Sequence, residues 1–161
     1  MPRVIKINHI GVATSDMEAA LRVFADGLGL EIGPSEFVPS DAVIVSFLPV
    51  GESRIELLEP SGATGPGRKF LDSRGQGVHH ICLEVEDLPG MLQALRERGV
   101  GLIDQEPRPG AHGSMVAFLQ PKSTSGVLIE LVESASLEKD KGHSTLTPNP
   151  SPFLGEGGQG E

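Results

Sequence analysis

The amino-acid sequence contains an internal repeat, and a repeat of this length constrains the fold more strongly than any other feature of the chain. The segment NHIGVATSDMEAAL (residues 8–21) aligns with HHICLEVEDLPGML (residues 79–92). In this alignment His9 falls on His80, which lies 71 positions further along the chain. The repeat therefore predicts two copies of one supersecondary unit, each with a histidine in its first apolar segment.

A second pair of matched segments extends the repeat and adds two acidic residues. After a three-residue insertion, IELLE (55–59) aligns with IELVE (129–133), so that Glu56 falls on Glu130. Each copy thus supplies one imidazole and one carboxylate. Together the four groups are enough to fill most of the coordination sphere of a metal ion.

The hydropathy pattern of each copy predicts the element order βαβββ. Residues 4–14 alternate as a half-buried strand does, and the apolar residues that follow recur at helical spacing. We expect Ser15 or Asp16 to cap the first helix and Asp87 the second, and Gly27 and Gly99 to end them. The other strand-like runs are residues 29–33, 42–50 and 53–59 in the first copy, and residues 99–104, 115–121 and 126–133 in the second. The predicted fold class is α+β, with two tandem βαβββ modules.

The two modules are predicted to form one domain that spans residues 1–134. The first module covers about residues 4–60, a linker with a short helix covers about 61–76, and the second module covers about 77–134. Beyond this point the periodicity ends, and residues 135–161 are rich in Pro and Gly. We predict a disordered tail there, because such a composition buries too little apolar surface to offset the entropy lost on ordering.

Composition argues against two classes of partner. The formal net charge is −9 and the chain contains no Trp or Tyr, which is unlike a nucleic-acid-binding protein. No apolar run approaches the ~20 residues that a membrane-spanning helix needs, so no membrane partner is expected.

The first residues pass directly into a strand pattern rather than a secretory signal, and the single cysteine, Cys82, suits a reducing compartment. We therefore expect a cytoplasmic protein.

Glu56 and Glu130 are the residues of the repeat that packing explains least well. Each lies among Ile and Leu in a segment that otherwise reads as buried, and burying an unpaired carboxylate is costly. An outward-facing position on an edge strand would explain either glutamate alone, but the matched occurrence of both weakens that explanation. By strand alternation His79 points away from the face that carries His80, so His80 is the better partner for His9.

Two imidazole nitrogens and two carboxylate oxygens form a mixed ligand set. Such a set suits one divalent metal ion: Co²⁺, Mn²⁺, Mg²⁺, Ni²⁺ or Zn²⁺. Structural zinc sites are usually rich in Cys and closed, whereas two carboxylates favour an ion that keeps positions for water or substrate. The ligand set therefore predicts a catalytic ion rather than a structural one.

Paired βαβββ modules with His and Glu at these positions resemble the vicinal oxygen chelate superfamily, also called the glyoxalase fold. In that superfamily two modules wrap into an eight-stranded, open, cup-like barrel around a metal ion. The resemblance implies the same barrel here. It also implies that the metal ligands are His9, Glu56, His80 and Glu130.

Outside the ligands, the chain resembles the methylmalonyl-CoA epimerase family within this superfamily. The matching segments are residues 47–60, 69–81, 102–110 and 116–133. The resemblance implies an isomerase of propionyl-CoA metabolism that takes a small-molecule CoA thioester as substrate and forms a homodimer. Such an enzyme interconverts (R)- and (S)-methylmalonyl-CoA by abstracting the α-proton through a metal-stabilised enolate.

The same resemblance suggests roles for residues around the ligands. Glu130, a metal ligand beside the substrate carbon, is the candidate base. For the opposite face the candidates are a metal-bound water and His112, which lies in a loop where the family usually has a small residue. Lys122, Arg108 and Lys69 are candidates for binding the substrate carboxylate or the CoA phosphates.

Two other functions stay open on the sequence alone. A glyoxalase I-type lactoylglutathione lyase would use the same four ligands, but such enzymes usually have an Asp-Pro-Asp-Gly turn where this chain has PKSTSG (121–126). A non-catalytic small-molecule binding protein of the same fold would need no metal. The chain also reads Val43, Ile44, Val45 where some epimerases have a glutamate, so a second glutamate base is not predicted.

Overall fold

The structure is a computed structural model that describes residues 1–110 and 113–135. The strands of these residues are β1 (Arg3–Ala13), β2 (Ser35–Val38), β3 (Val43–Val50), β4 (Ser53–Pro60), β5 (Gly77–Glu86), β6 (Arg108–Pro109), β7 (Met115–Leu119) and β8 (Leu128–Glu133). The helices are α1 (Met17–Leu21), which continues as a π-helical stretch (Arg22–Gly27), α2 (Pro66–Arg74) and α3 (Leu88–Glu97), with a 3₁₀ turn at Pro121–Ser123. His112, a candidate acid or base, and residues 136–161, within the predicted disordered tail, lie outside the described residues.

The strands form one mixed sheet in the order β2-β3-β4-β1-β5-β8-β7-β6. At its centre β1 pairs antiparallel with β5, and these two strands pair in parallel with β4 and β8, respectively. The order is therefore symmetric about the β1–β5 pair, with the four strands of each module on one side. This curled half-barrel confirms the predicted α+β fold and its two βαβββ modules.

The strand register brings the four predicted ligands onto four adjacent strands. Across the β1–β5 pair His80 lies opposite Gly11, and His9 lies two residues before Gly11 on β1. On the other side of β1, Glu56 of β4 lies beside Gly11. β8 repeats this arrangement in the second module, where it carries Glu130 next to β5. Because paired residues, and residues two apart on a strand, share a face, all four side chains project to one side of the sheet.

The helices begin where the sequence predicts. The Asp16 Oδ1 atom accepts a hydrogen bond from the Ala19 N–H (2.9 Å), and the Asp87 Oδ1 atom accepts one from the Gly90 N–H (3.1 Å). Each carboxylate thereby satisfies an amide that the helix itself leaves unpaired. Gly99 follows α3 with a φ of 72°, a conformation that only glycine adopts without strain.

The second strand of the first module does not lie where the hydropathy pattern predicts it. Residues 29–33 form no strand, although the Gly33 N–H donates a backbone bond to the Phe47 carbonyl (2.7 Å). Pro34 has no N–H to continue this pairing, so the ladder with β3 starts only at Ser35.

The second module differs from the prediction in a similar way. Residues 99–104 contribute only an isolated bridge, from Leu102 to Leu119, and the paired strand β6 comes later. The side chain of Asp104 accounts for this difference. Its Oδ2 atom accepts the Phe118 N–H (2.8 Å), a position that a strand carbonyl would otherwise take.

The described residues contain three buried apolar clusters, and two of them lie beside α3 and beside the predicted ligands, respectively. The larger cluster lies against α3 and consists of Val85, Leu88, Leu92, Leu102, Ala117, Leu119 and Leu131. The smaller cluster consists of Val43, Val45 and Phe47, and Phe47 lies opposite Glu56 in the β3–β4 register. It therefore forms an apolar wall on the side of the sheet that carries the ligands. Within the described residues, no helix combines the length and the apolarity that crossing a bilayer requires.

Candidate metal centre

The polar side chains of β4, β1, β5 and β8 converge on one point. The Nε2 atoms of His9 and His80 are 2.9 Å apart, and Glu56 Oε2 lies 3.4 Å from His9 Nε2. Glu130 Oε2 lies 3.5 Å from His9 Nε2 and 3.4 Å from His80 Nε2. Four potential ligand atoms, one from each strand, therefore face a common centre.

These separations fit a divalent ion. An ion about 2.1 Å from each nitrogen or oxygen ligand keeps neighbouring ligands about 3.0 Å apart at 90° and about 3.4 Å apart at 109°. The measured distances run from 2.9 to 3.5 Å. The residues that could hold one ion in this arrangement are His9, Glu56, His80 and Glu130.

Burial keeps both imidazoles neutral. His9 is only 7% exposed and His80 only 8%. Burial lowers the pKa of His9 to about 4 and the pKa of His80 to about 3, against the opposite pull of the neighbouring glutamates. Both rings therefore retain a free nitrogen lone pair at neutral pH, which is the form that binds a metal.

The Glu130 carboxyl has a raised pKa, chiefly because it is buried, while His80 and Arg108 act in the opposite direction. A carboxylate with a raised pKa accepts a proton more readily than an exposed one. The fully buried Cys82 thiol lies within 4.8 Å of this carboxylate and also acts to lower its pKa. Burial also raises the pKa of the thiol, so Cys82 stays protonated. The sequence identifies Cys82 as a buried residue but gives no sign of its contact with Glu130.

Arg54 is a site residue that the sequence analysis missed. Its Nε–H donates to Glu56 Oε1 at 2.8 Å, and its guanidinium carbon lies 5.7 Å from the centre of the Phe47 ring. Arg54 thus orients Glu56 and partly neutralises it. Strand alternation could have pointed to Arg54, because a residue two positions before Glu56 lies on the same face of the strand.

Gly11 is the second residue that the sequence analysis missed. A Cβ atom at this position would lie 2.4 Å from His80 Cε1 and 2.5 Å from His80 Nδ1. The absence of a side chain therefore creates the space that the His80 ring occupies. The repeat indicated this difference, because the position that holds Gly11 in the first copy holds Cys82 in the second. Only the first copy therefore lacks a side chain there.

The predicted substrate-binding cations lie at different distances from this centre. The guanidinium carbon of Arg108 lies 5.2 Å from the centre of the Phe118 ring, and Phe118 lies opposite Glu130 in the β7–β8 register. Lys69 on α2 and Lys122 in the 3₁₀ turn are exposed. Of these three, the structure therefore brings only Arg108 up to the residues that surround the predicted ligands.

The chain belongs to the glyoxalase/bleomycin resistance protein/dioxygenase superfamily, whose sequence profile matches residues 8–118. Within that superfamily its relatives include proteins named methylmalonyl-CoA epimerase, as the resemblance in the sequence indicated. It is 40% identical over 128 residues to the ethylmalonyl-CoA/methylmalonyl-CoA epimerase of Cereibacter sphaeroides, an alignment that covers 78% of this chain and 96% of that protein.

More distant relatives show the same family. The mitochondrial methylmalonyl-CoA epimerase of Bos taurus is 35% identical over 130 residues, which cover 80% of this chain and 74% of that protein. A solved structure of a Streptomyces coelicolor methylmalonyl-CoA epimerase variant in complex with 2-nitronate-propionyl-CoA has the same fold, with a TM-score of 0.75. The two chains are 34% identical, and the match covers 83% of this chain and 97% of the other.

Proposed function

We propose that this protein is a metal-dependent methylmalonyl-CoA epimerase that interconverts the (R) and (S) forms by removing and returning the α-proton. The observation that carries the proposal is the convergence of two neutral imidazoles and two carboxylates at separations of 2.9–3.5 Å. Relatives named for this activity at 34–40% identity support the choice of substrate. A glyoxalase I-type lyase is the competing function, since it would use the same ligand set.

We assign the role of metal ligand to His9, Glu56, His80 and Glu130. A divalent ion there would supply positive charge to the oxyanion that develops as the α-proton leaves, an effect typically worth several kcal/mol. Oxygen and nitrogen ligands of this type accept Co²⁺, Mn²⁺, Mg²⁺, Ni²⁺ or Zn²⁺. The chain itself holds the ligands in place through four adjacent strands of one sheet.

Glu130 is the better candidate base of the two glutamates. The Oε1 atom of Glu56 already accepts a charge-assisted hydrogen bond from Arg54. Glu130 instead has the weakly donating thiol of Cys82 nearby, and burial raises the pKa of its carboxyl group. Its side chain is also somewhat more exposed than that of Glu56, 15% against 10%, which leaves it easier to reach from the cup.

The substrate is an anion, and cations near the centre would bind it. Arg54 and Arg108 lie close enough to the ligands to act on the substrate carboxylate, and Arg108 already influences the pKa of Glu130. We propose that the exposed Lys69 and Lys122 act further out, on the phosphates of CoA. The role of His112 on the opposite face of the substrate stays a prediction.

Two further properties belong to this proposal. We propose a homodimer, because the start of β1 exposes Val4, Ile5 and Ile7, which a second copy would cover. A cytoplasmic location, expected from the single cysteine, also stays a prediction.

The decisive experiment compares two substrates with one Co²⁺-loaded protein. One epimer of methylmalonyl-CoA is incubated with the protein, and the other epimer is followed with an auxiliary enzyme specific for it. We expect formation of the second epimer, and no turnover of the methylglyoxal–glutathione hemithioacetal. The reverse result would assign the chain to the lyases.

Metal content separates both enzymes from a non-catalytic binding protein. Elemental analysis should find one divalent ion per chain in wild type, and much less in Glu56→Ala and His80→Ala. The Gly62→Ala variant is a suitable control, because a Cβ atom at Gly62 meets nothing within 4 Å. Wild-type protein without stoichiometric metal would contradict the proposal.

A further inference from the structure

The residue before each ligand histidine contacts the Nδ1 atom of that histidine. Asn8 Oδ1 lies 2.8 Å from His9 Nδ1, and His79 Nδ1 lies 2.9 Å from His80 Nδ1. Asn8 and His79 occupy matched positions of the repeat. The same contact therefore occurs twice, on the ring nitrogen that points away from the common centre.

In the first module a further carboxylate fixes the direction of the contact. The Asn8 Nδ2–H donates to Glu84 Oε2 at 3.0 Å, and Glu84 is buried, with Lys6 Nζ 3.7 Å away. An ionised carboxylate can only accept, so the amide nitrogen of Asn8 must face Glu84 and its oxygen must face His9. That oxygen accepts only from an Nδ1–H. His9 therefore carries its proton on Nδ1 and keeps the lone pair on Nε2.

In the second module an imidazole takes the place of the amide. His79 packs edge-on against Phe70 of α2, with ring centres 4.7 Å apart. A neutral His79 can either donate to or accept from His80 Nδ1, depending on its own tautomer. When His80 offers its Nε2 lone pair to an ion, its proton must lie on Nδ1, and His79 Nδ1 then accepts it.

We infer that Asn8, oriented by Glu84, and His79 are positioning residues that select the metal-binding tautomers of the two ligand histidines. This inference rests on the proposed metal centre. Partners of this kind hold the ring in the correct rotation and tautomer, and their loss typically lowers metal affinity by about 10–100-fold. Asn8 should matter more than His79, because its oxygen can only accept whereas His79 can adopt either tautomer.

The test uses the full-length protein and a set of matched variants. Asn8→Ala removes the acceptor. The double variant Asn8→Asp/Glu84→Gln exchanges the amide and the carboxylate at unchanged net charge. The new carboxylate at position 8 faces His9 and accepts a hydrogen bond from the new amide at position 84. Ile10→Ala, on the same strand, removes apolar atoms on the other face of β1 from His9, and it controls for a general loss of stability.

Two measurements are made on each protein. Long-range ¹H–¹⁵N correlation spectra of the imidazoles report the tautomer of His9 in the metal-free protein. Competition with a chelator gives the affinity for Co²⁺ alone. Thermal unfolding of the metal-free proteins shows that each variant is folded.

We expect His9 in wild type to be the Nδ1–H tautomer. Asn8→Ala should show a mixture of tautomers and about 10–100-fold weaker Co²⁺ binding. The exchanged double variant should recover both properties, and Ile10→Ala should match wild type.

Three results would overturn the inference. The first is a folded Asn8→Ala protein with wild-type Co²⁺ affinity. The second is a double variant that binds Co²⁺ as weakly as Asn8→Ala does, which would mean that packing rather than the hydrogen-bond acceptor matters. The third is wild-type protein that binds no Co²⁺. That result would remove the proposed metal centre, and the tautomer spectra would still show separately whether Asn8 controls His9.

Discussion

A methyl group at Gly11 should displace the His80 ring from the metal centre. The Cβ atom of Gly11→Ala would lie 2.4 Å from His80 Cε1, 2.5 Å from Nδ1 and 3.0 Å from Nε2. Carbon atoms in contact normally lie about 3.5–4.0 Å apart, so the ring would have to move by about 1 Å. The backbone itself tolerates alanine, since Gly11 is not among the residues with positive φ.

The size of the effect follows from this displacement. Metal ligands must lie within about 0.2 Å of their proper distance, so a 1 Å shift of the ring takes Nε2 out of ligation. Loss of this ligand should weaken metal binding by about 100-fold, the upper end of the loss seen when the groups that orient a ligand are removed, which corresponds to about 3 kcal/mol of binding free energy. The metal-free protein should lose about 1–3 kcal/mol of stability, as overpacked interiors usually do.

Chelator competition with Co²⁺ measures the first effect, and urea unfolding of the metal-free protein measures the second. Gly62→Ala makes the same chemical change in open space and should leave the affinity unaltered. If folded Gly11→Ala bound Co²⁺ within about threefold of wild type, less than 1 kcal/mol, the assigned position of the His80 ring would be refuted.

Three further predictions concern the same centre. The folded pKa values of His9 and His80, about 4 and 3, lie below the unfolded value of 6.5, so the unfolded chain takes up protons first as pH falls. The free energy of unfolding of the metal-free protein, measured in urea titrations, should therefore fall by on the order of 2 kcal/mol per histidine between pH 7 and pH 5. An unchanged stability would contradict burial of the neutral rings. Arg54→Leu leaves one oxygen of buried Glu56 without its hydrogen-bond donor. The variant should therefore destabilise the metal-free protein by about 1–3 kcal/mol in thermal unfolding. An unaltered unfolding midpoint would mean that water replaces the guanidinium group. Cys82 should react with a thiol reagent only as fast as the protein unfolds, because it is fully buried and its pKa is raised; rapid labelling of the folded protein would contradict this environment.

Much of the fold follows from the repeat because hydropathy records which side chains are buried. The strands that carry His9, Glu56, His80 and Glu130 are interior strands of the sheet, so their apolar neighbours are conspicuous in the sequence. Polar residues at matched positions within such segments then stand out. This is why the fold class and the members of the converging cluster could be predicted together.

The second strand of each module could not be located in this way. β2 and β6 are edge strands of four and two residues, and local chemistry decides where they pair. Pro34 removes an N–H in one module, and the Asp104 side chain substitutes for a strand carbonyl in the other. Hydropathy records neither effect.

The residues that support the ligands were also beyond the sequence analysis. Asn8, Gly11 and Arg54 act through contacts with another strand or with a neighbouring side chain. Such contacts depend on strand register and on side-chain rotation, which a hydropathy pattern does not contain. The differences between the two copies carried part of this information, because the second copy has Cys82 in place of Gly11 and Leu128 in place of Arg54.

Proton exchange at the substrate α-carbon tests the central claim, metal-assisted proton abstraction by this cluster. One epimer of methylmalonyl-CoA is incubated in D₂O with wild-type protein, with and without Co²⁺, and the α-proton is followed by ¹H NMR. We predict loss of the α-proton signal that requires Co²⁺ and that is abolished in Glu130→Gln, with Gly62→Ala behaving as wild type. Exchange at the same rate without metal, or in Glu130→Gln, or no exchange at any Co²⁺ loading, would contradict the account.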